Sequence, residues 1–286
     1  MLTETMPAKD YKSSVPPTWC PGCGDYGVLN GFLKALSDLK INYNEAVVVS
    51  GIGCSSRFPF FVKTYGIHSL HGRSLPLAVG VKLARPDLEV IVTGGDGDGF
   101  SIGGGHVPHV VRKNIDITYI VMDNSIYGLT KGQVSPTSNV GLVTSTTPYG
   151  SPDDPVNPIG YVLTYGATFV AQGFSGNPKE LTELIKKGIQ HKGFSFINVI
   201  SPCPSFNRRD TFKAIKELID PILDTHDTTD RVKALDLAFN TDGKVRTGIF
   251  YDLHKPVYHD RLDEIKRKSK ASDEPDYEAI MDTFKV

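Results

Sequence analysis

An apolar, β-branched run, Leu88-Glu89-Val90-Ile91-Val92-Thr93, ends in the turn Gly94-Gly95-Asp96-Gly97-Asp98-Gly99, and Asn124 follows Asp96 by 28 residues. Such a run reads as a buried strand of a parallel sheet. Glycines at its carboxyl end let the backbone turn sharply and approach a ligand without Cβ interference. Ligands of open parallel sheets gather in the crevice at those strand ends. A second apolar run, Ile117 to Met122, delivers Asp123-Asn124 to the end of the next strand. Two oxygen-bearing side chains thus arrive on neighbouring strand ends beside glycine N–H groups. Mg2+ suits that arrangement, since it takes about six hard oxygens and shares them between one or two protein groups and phosphates. Asp96 offers a carboxylate oxygen, Asn124 an amide oxygen and Ile126 a backbone carbonyl. A plain strand–turn–helix with an aspartate cap also explains a lone Gly-Asp-Gly. The spacing to Asn124 is what sets this one apart.

Gly95-Asp96-Gly97, then 26 residues, then Asn124 resembles the diphosphate signature of thiamine diphosphate (TPP) enzymes. The surrounding pattern agrees with that fold class. Strands are expected at 45–50, 88–94, 116–123, 167–172 and 195–200. Helices alternate with them. In 25–39, Val28, Leu29, Phe32, Leu33, Leu36 and Leu39 recur at helical spacing, with Asp25 placed as N-cap. Leu75 to Ala84 is a second helical run, and Pro178 opens a third at the permitted first turn. The alternation implies an α/β fold with a doubly wound, mostly parallel sheet. Residues 133–160 contain five prolines among Ser, Thr and Gly, a long loop with a functional or partner-facing role.

At 286 residues and 40% hydrophobic content the chain can bury one α/β core with extensions. A formal charge of -1 speaks against nucleic-acid and electrostatic membrane roles. No secretory signal stands at the N-terminus and no apolar run reaches the ~18 residues of a membrane span, so a cytoplasmic protein is expected.

The four cysteines are Cys20, Cys23, Cys54 and Cys203. Cys20-Pro21-Gly22-Cys23 is a tight turn; Cys54 follows the apolar strand Ala46 to Val49, and Cys203 follows Phe194 to Ile200. They can therefore meet at a shared site. A disulfide framework does not suit such a chain, which leaves a 4Fe–4S cluster, a structural zinc, or inert or redox thiols. One C-x2-C with two distant single cysteines is odd for a zinc ribbon, yet the residues alone leave all three open.

Together the two signatures resemble the β subunit of the 2-oxoacid:ferredoxin oxidoreductases, from about Trp19 to Arg209. The matching motifs are Trp19-Cys20-Pro21-Gly22-Cys23-Gly24-Asp25, Gly51-Ile52-Gly53-Cys54-Ser55, Leu70-His71-Gly72-Arg73, Gly95-Asp96-Gly97-Asp98-Gly99, Asp123-Asn124 with Tyr127-Gly128-Leu129-Thr130-Lys131-Gly132-Gln133, and Pro202-Cys203-Pro204. The resemblance implies the TPP-binding fold. It implies that Cys20, Cys23, Cys54 and Cys203 hold a 4Fe–4S cluster and that Asp96, Asn124 and Ile126 hold Mg2+. Contacts to TPP are implied for Ile52, Gly53, Cys54, Ser55, His71, Gly95, Asp96, Gly97, Asp98, Asn124, Ile126, Gly128 and Leu129. His71 is expected at the reacting centre. Lys131 is expected to meet the distal carboxylate of the substrate, which favours 2-oxoglutarate. Arg57 and His68 are left to surface roles.

The implied reaction is oxidative decarboxylation of a 2-oxoacid with CoA, in either direction, giving acyl-CoA and CO2, with electrons passing through the cluster to ferredoxin. The glutamate that activates TPP belongs in the family to a pyrimidine-binding domain on an α (or fused γ–α) subunit. This chain has room for one α/β unit, so it reads as half of a split site in a heterodimer. The expected organisation is an N-terminal extension over 1–18, the TPP and cluster domain over 19–225, and a C-terminal arm over 226–286 that packs on the partner. A disordered tail competes with the arm, and Lys266 to Pro275 is expected to be mobile. Other readings are a pyruvate or broad-range oxidoreductase, a non-redox TPP decarboxylase or transketolase-like subunit, and a zinc-stabilised assembly module.

Overall fold

Each of the five apolar runs becomes a strand, within two residues of its expected bounds. The computed structural model describes residues 6–269 and 276–285. The strands are β1 (Ala46–Ser50), β2 (Tyr65–His68), β3 (Glu89–Gly95), β4 (Ile117–Asp123), β5 (Phe169–Phe174), β6 (Phe194–Ile200), β7 (Ile219–Pro221) and β8 (Val245–Asp252). They form one sheet in the order β2-β1-β3-β4-β6-β5-β8-β7. Every pairing is parallel except β5 with β8. The helices are α1 (Asp25–Leu39), α2 (Ser74–Ala84), α3 (Asp96–Phe100), α4 (Val107–Lys113), α5 (Pro158–Thr164), α6 (Pro178–Gln190), α7 (Phe212–Leu218), α8 (Arg231–Phe239), α9 (Tyr258–Ser269) and α10 (Tyr277–Asp282).

The two-residue side-chain period of each strand divides its apolar residues between two cores. Val47, Val49, Val90, Val92, Tyr119 and Val121 face the layer made by α2, α4, α5 and α8. Ala46, Val48, Ile91, Ile120 and Met122 face α1 and α6. Both faces are covered, which is why β1 and β4 are buried along their whole length and read as continuous apolar runs. The crevice needed for a ligand then lies where β1, β3 and β4 end and their chains diverge to opposite faces.

Two expectations change. Asp25 is the first helical residue of α1 rather than its cap, which is Gly24, and its buried carboxylate accepts from Ser201 Oγ at 2.7 Å. The segment from His226 onward is only partly an arm. β8 closes the free edge of β5, Phe250 and Tyr251 are core residues, and α8 packs on α5 with Asn157 Nδ2 donating to the Ala238 carbonyl. An arm-like character begins at α9, which buries no residue. Of the segment expected to be mobile, Lys266 to Ser269 form the last turn of α9, and 270–275 lie outside the described residues. The described part of the N-terminal extension, from Met6, lies against the domain: Tyr11 is buried and donates to the Ile41 carbonyl at 2.6 Å. Among the described residues no helix is long and apolar enough to cross a membrane.

Candidate functional site

At the carboxyl ends of β1, β3 and β4 lies a cavity of about 480 Å³. All thirteen residues named for TPP contact line it, from Ile52 to Leu129, and Tyr127, Thr130 and Gln133 complete the wall. The cavity depends on missing side chains. A Cβ on Gly97 would stand 2.2 Å from the Tyr127 ring, whose hydroxyl donates to the Gly97 carbonyl. Glycine is therefore needed for the tyrosine to close over α3.

Asp96 is buried in the cavity wall, and Asp123 is buried close by without lining the cavity. The Thr137 hydroxyl lies 2.8 Å from an oxygen of each. It has one proton to donate, so it cannot satisfy both. Burial first, and then the charge of Asp123, pushes the Asp96 carboxyl up to about 7. Burial likewise raises Asp123. Ser125, with φ 53°, takes a left-handed turn that brings its N–H to Asp123 Oδ1. Asn124 Oδ1 accepts the Ile126 N–H at 3.1 Å, and the Asn124 carbonyl is held by buried Asn207. A lining carboxylate backed by a second buried one, with no lysine or arginine paired to either among the described residues, fits a hard cation. Asp96, Asn124 and the Ile126 carbonyl are the oxygens such an ion would share with a diphosphate.

Asp98 plays a different part from Asp96, two residues away. Its Oδ1 accepts the N–H groups of Ile52 at 2.9 Å and Gly72 at 2.7 Å, and stands 3.0 Å from His71 Nδ1. The Gly51–Ser55 and His71–Gly72 turns are thereby pinned to α3. Gly51 must be glycine, because a Cβ there would lie 2.2 Å from Asp98 Oδ2. Burial raises the Asp98 carboxyl, opposed by these donors. Asp98 lines the cavity, yet its contacts make it a support for His71 and the Cys54 turn.

The cysteines come together beside the cavity. Trp19 Nε1 donates to the Cys54 carbonyl at 2.6 Å, and the Gly24 N–H donates to the Pro202 carbonyl at 3.1 Å. These bonds tie the Cys20–Cys23 turn to the turns carrying Cys54 and Cys203. A Cβ on Gly128 would meet the sulfurs of Cys54 at 3.5 Å and Cys203 at 3.7 Å. Burial, then Asp25, then the neighbouring thiols raise Cys23; the same causes push Cys54 up to about 11. Among the described residues, the group whose ligand atoms all lie within 4.8 Å of one another is His191, Asp252 and His254, so no three of these sulfurs are that close. A tetrahedral zinc with 2.3 Å bonds would need sulfurs about 3.8 Å apart. Four thiols brought together from three turns can serve a metal centre.

Lys131 stands apart from the other site residues. It is exposed at the tip of the turn between Tyr127 and Gln133, with φ 76°, and does not line the cavity, although Thr130 and Gln133 on either side do. Arg57 donates to Thr18 and His68 meets Ser50 Oγ, both outside the cavity. Sequence reasoning missed Thr137 and Asn207. Neither carries a local signal, since each reaches the site from an irregular segment.

A family model described as thiamine pyrophosphate enzyme, C-terminal TPP binding domain, matches residues 51–199. Another, for the C-terminal part of the pyruvate ferredoxin oxidoreductase beta subunit, matches residues 203–267. The 2-oxoglutarate oxidoreductase subunit KorB of Mycobacterium tuberculosis is 49% identical over 199 residues, 70% of this chain and 53% of that protein. The match thus spans about half the length of that relative. The 2-oxoglutarate synthase subunit KorB of Methanocaldococcus jannaschii is 41% identical over 269 residues, covering 93% of this chain and 99% of the relative. A solved structure, 2-oxoglutarate:ferredoxin oxidoreductase from Magnetococcus marinus with 2-oxoglutarate, coenzyme A and succinyl-CoA bound, superposes with a TM-score of 0.95 at 50% identity. It covers 99% of this chain and 97% of that one.

Proposed function

The chain belongs to the β subunits of the 2-oxoacid:ferredoxin oxidoreductases, and from that premise we propose that it oxidatively decarboxylates 2-oxoglutarate with CoA, together with an α subunit and a ferredoxin. The observation that carries this reading is the double position of Cys54. It lines the cavity and belongs to the cysteine group. A TPP-binding cavity and a redox centre would then share one turn.

Bound in the cavity, TPP supplies a carbanion for the keto carbon of the oxoacid and a sink for the electron pair left when CO2 departs, while a 4Fe–4S cluster takes electrons singly. The chain's own residues orient and neutralise. Asp96, Asn124 and the Ile126 carbonyl hold Mg2+ and through it the diphosphate. Asp98 accepts from the His71 Nδ1–H, so the neutral ring presents its Nε2 lone pair to the reacting centre, where it can accept a proton. Tyr127 and Leu129 wall the cavity and exclude water. Cys20, Cys23, Cys54 and Cys203 are the proposed cluster ligands. Lys131 is proposed to reach over the cavity mouth to the distal carboxylate. The exposed helices α9 and α10 are proposed to pack on the α subunit, which contributes the glutamate that activates TPP.

Metal, sulfide and TPP analysis of the chain purified anaerobically with its partner tests the reading. About four iron and four sulfide per chain, with one TPP and Mg2+, is the expected result. Stoichiometric zinc without iron or TPP would overturn it in favour of an assembly module.

A further inference from the structure

We propose that His191, Asp252 and His254 form a separate site for a divalent transition-metal ion of the zinc type, remote from the cofactor cavity. The three follow from the topology. His191 caps the carboxyl end of α6, Asp252 ends β8, and His254 lies two residues beyond it. Because β8 runs antiparallel to β5, with Asp252 opposite Phe169, the group sits at the amino ends of the parallel strands. The cavity is at their carboxyl ends, about 20 Å away at ~3.3 Å per residue.

Their ligand atoms all lie within 4.8 Å of one another. His191 Nδ1 is 3.0 Å from Asp252 Oδ1, and the His254 ring stacks on that of His191 at 4.9 Å between centroids. Two imidazoles and one carboxylate are a recurrent set for zinc and similar ions, with bonds of about 2.0–2.2 Å. His254 is exposed and able to swing inward, and Asp252 is half-buried, so an ion can enter from solvent. Lys187 places a positive charge near the same carboxylate. Lys187 is thus a competitor with an ion for that carboxylate.

The hydrogen bonds around His191 favour an ion in particular. Asn114 Oδ1 is fixed as an acceptor by the Phe194 N–H at 2.9 Å, and Asn114 Nδ2 donates to the carbonyls of Lys255 and Pro256. The Thr168 hydroxyl faces Asn114 Oδ1 at 2.8 Å and the Phe194 carbonyl at 3.2 Å, both acceptors, so its proton is committed to them. At 2.9 Å from His191 Nε2 it can then only accept. His191 therefore carries its proton on Nε2 and turns the Nδ1 lone pair toward the Asp252 carboxylate. Two electron-rich atoms facing each other need an extra proton or a metal ion between them. A ligand histidine whose other nitrogen donates to a fixed acceptor is the usual support of a metal site. His191 itself is 5% exposed, so its orientation is set before any ion arrives.

The test uses the complex with its partner, dialysed anaerobically against a mild chelator and titrated with Co2+. The wild-type complex is expected to take up one more Co2+ than His254→Ala, with a visible spectrum of nitrogen and oxygen ligands, displaced by Zn2+. Asp252→Asn should weaken that uptake at least tenfold. Iron content should be the same in all three. His254 is exposed, so His254→Ala leaves the core intact. Equal Co2+ stoichiometry and affinity in wild type and His254→Ala would overturn the proposal, and a proton would then occupy the gap. Uptake showing only thiolate-to-cobalt bands would overturn it as well.

Discussion

The two ends of the sheet treat buried charge in opposite ways. At the amino ends, charges meet partners: buried Lys82 lies 2.9 Å from Asp116 and donates to the Leu88 carbonyl, Lys192 approaches Glu89 and Asp116, and His191 faces Asp252. At the carboxyl ends, Asp25, Asp96, Asp98 and Asp123 are buried, and among the described residues no lysine or arginine forms an ion pair with any of them. Oxygens of Asp25 and Asp98 have no hydrogen-bond partner. Such a concentration of uncompensated negative charge opposes folding. It is tolerable at one end because the rest of the sheet is apolar and covered on both faces, and the proposed Mg2+ would supply the charge missing at Asp96. Carboxyls raised by burial are thus segregated to the carboxyl ends, where the cavity lies.

The largest effect that would break this contrast is expected at Asp96. Asp96→Asn should reduce activity on the order of 10³-fold by weakening Mg2+ and TPP, while leaving the ligand-free protein no less stable, measured by TPP retention and thermal unfolding. Equal loss of activity is expected for Cys203→Ala, read as lost iron.

A pH series sharpens the same point. The Asp96 carboxyl, raised to about 7, binds its proton more tightly folded than unfolded. Ligand-free stability should therefore fall as pH rises from ~4, the unfolded value, through the folded one. Saturating Mg2+ and TPP should flatten the curve; a rise with pH in the ligand-free protein would contradict it.

Smaller effects follow. Gly51→Ala places a methyl against the Asp98 carboxylate and should cost about 2–4 kcal/mol by chemical denaturation. Lys82→Met, at the paired end, should cost about 1–3 kcal/mol by removing the buried partner of Asp116 and leaving it only the exposed Lys192, with kcat unchanged in the folded complex. Lys131→Ala should be mildest on stability, raising KM for 2-oxoglutarate about tenfold and sparing pyruvate.

Legibility from sequence follows the same division. The central strands β1, β3, β4, β5 and β6 were readable because burial on both faces makes them continuous apolar runs. β2 and β8 were not. β2 is four residues at an exposed edge, and β8 mixes Arg246, Thr247 and Gly248 with Phe250 and Tyr251, because only part of it meets the core. In the site, glycine-flanked Asp96 and the C-x2-C turn announce themselves, since backbone approach and paired thiols restrict residue type. Thr137 and Asn207 do not: each matters through one hydrogen bond made across the fold. The direction of the Asp98 carboxylate, toward backbone rather than ligand, was equally invisible, because neighbouring positions on a turn look alike in sequence.

The antiparallel strand that seals β5 has a consequence for how the chain is made. β6 is complete at Ile200, but β8 ends at Asp252. At ribosomal speeds of about 5–20 residues per second, the parallel sheet waits roughly 3–10 s with one long edge open. An unpaired edge of that kind recruits foreign strands. Newly synthesised chains should thus be most vulnerable to misassociation in that interval, and truncations ending before Val245 should aggregate even though every cofactor motif is present.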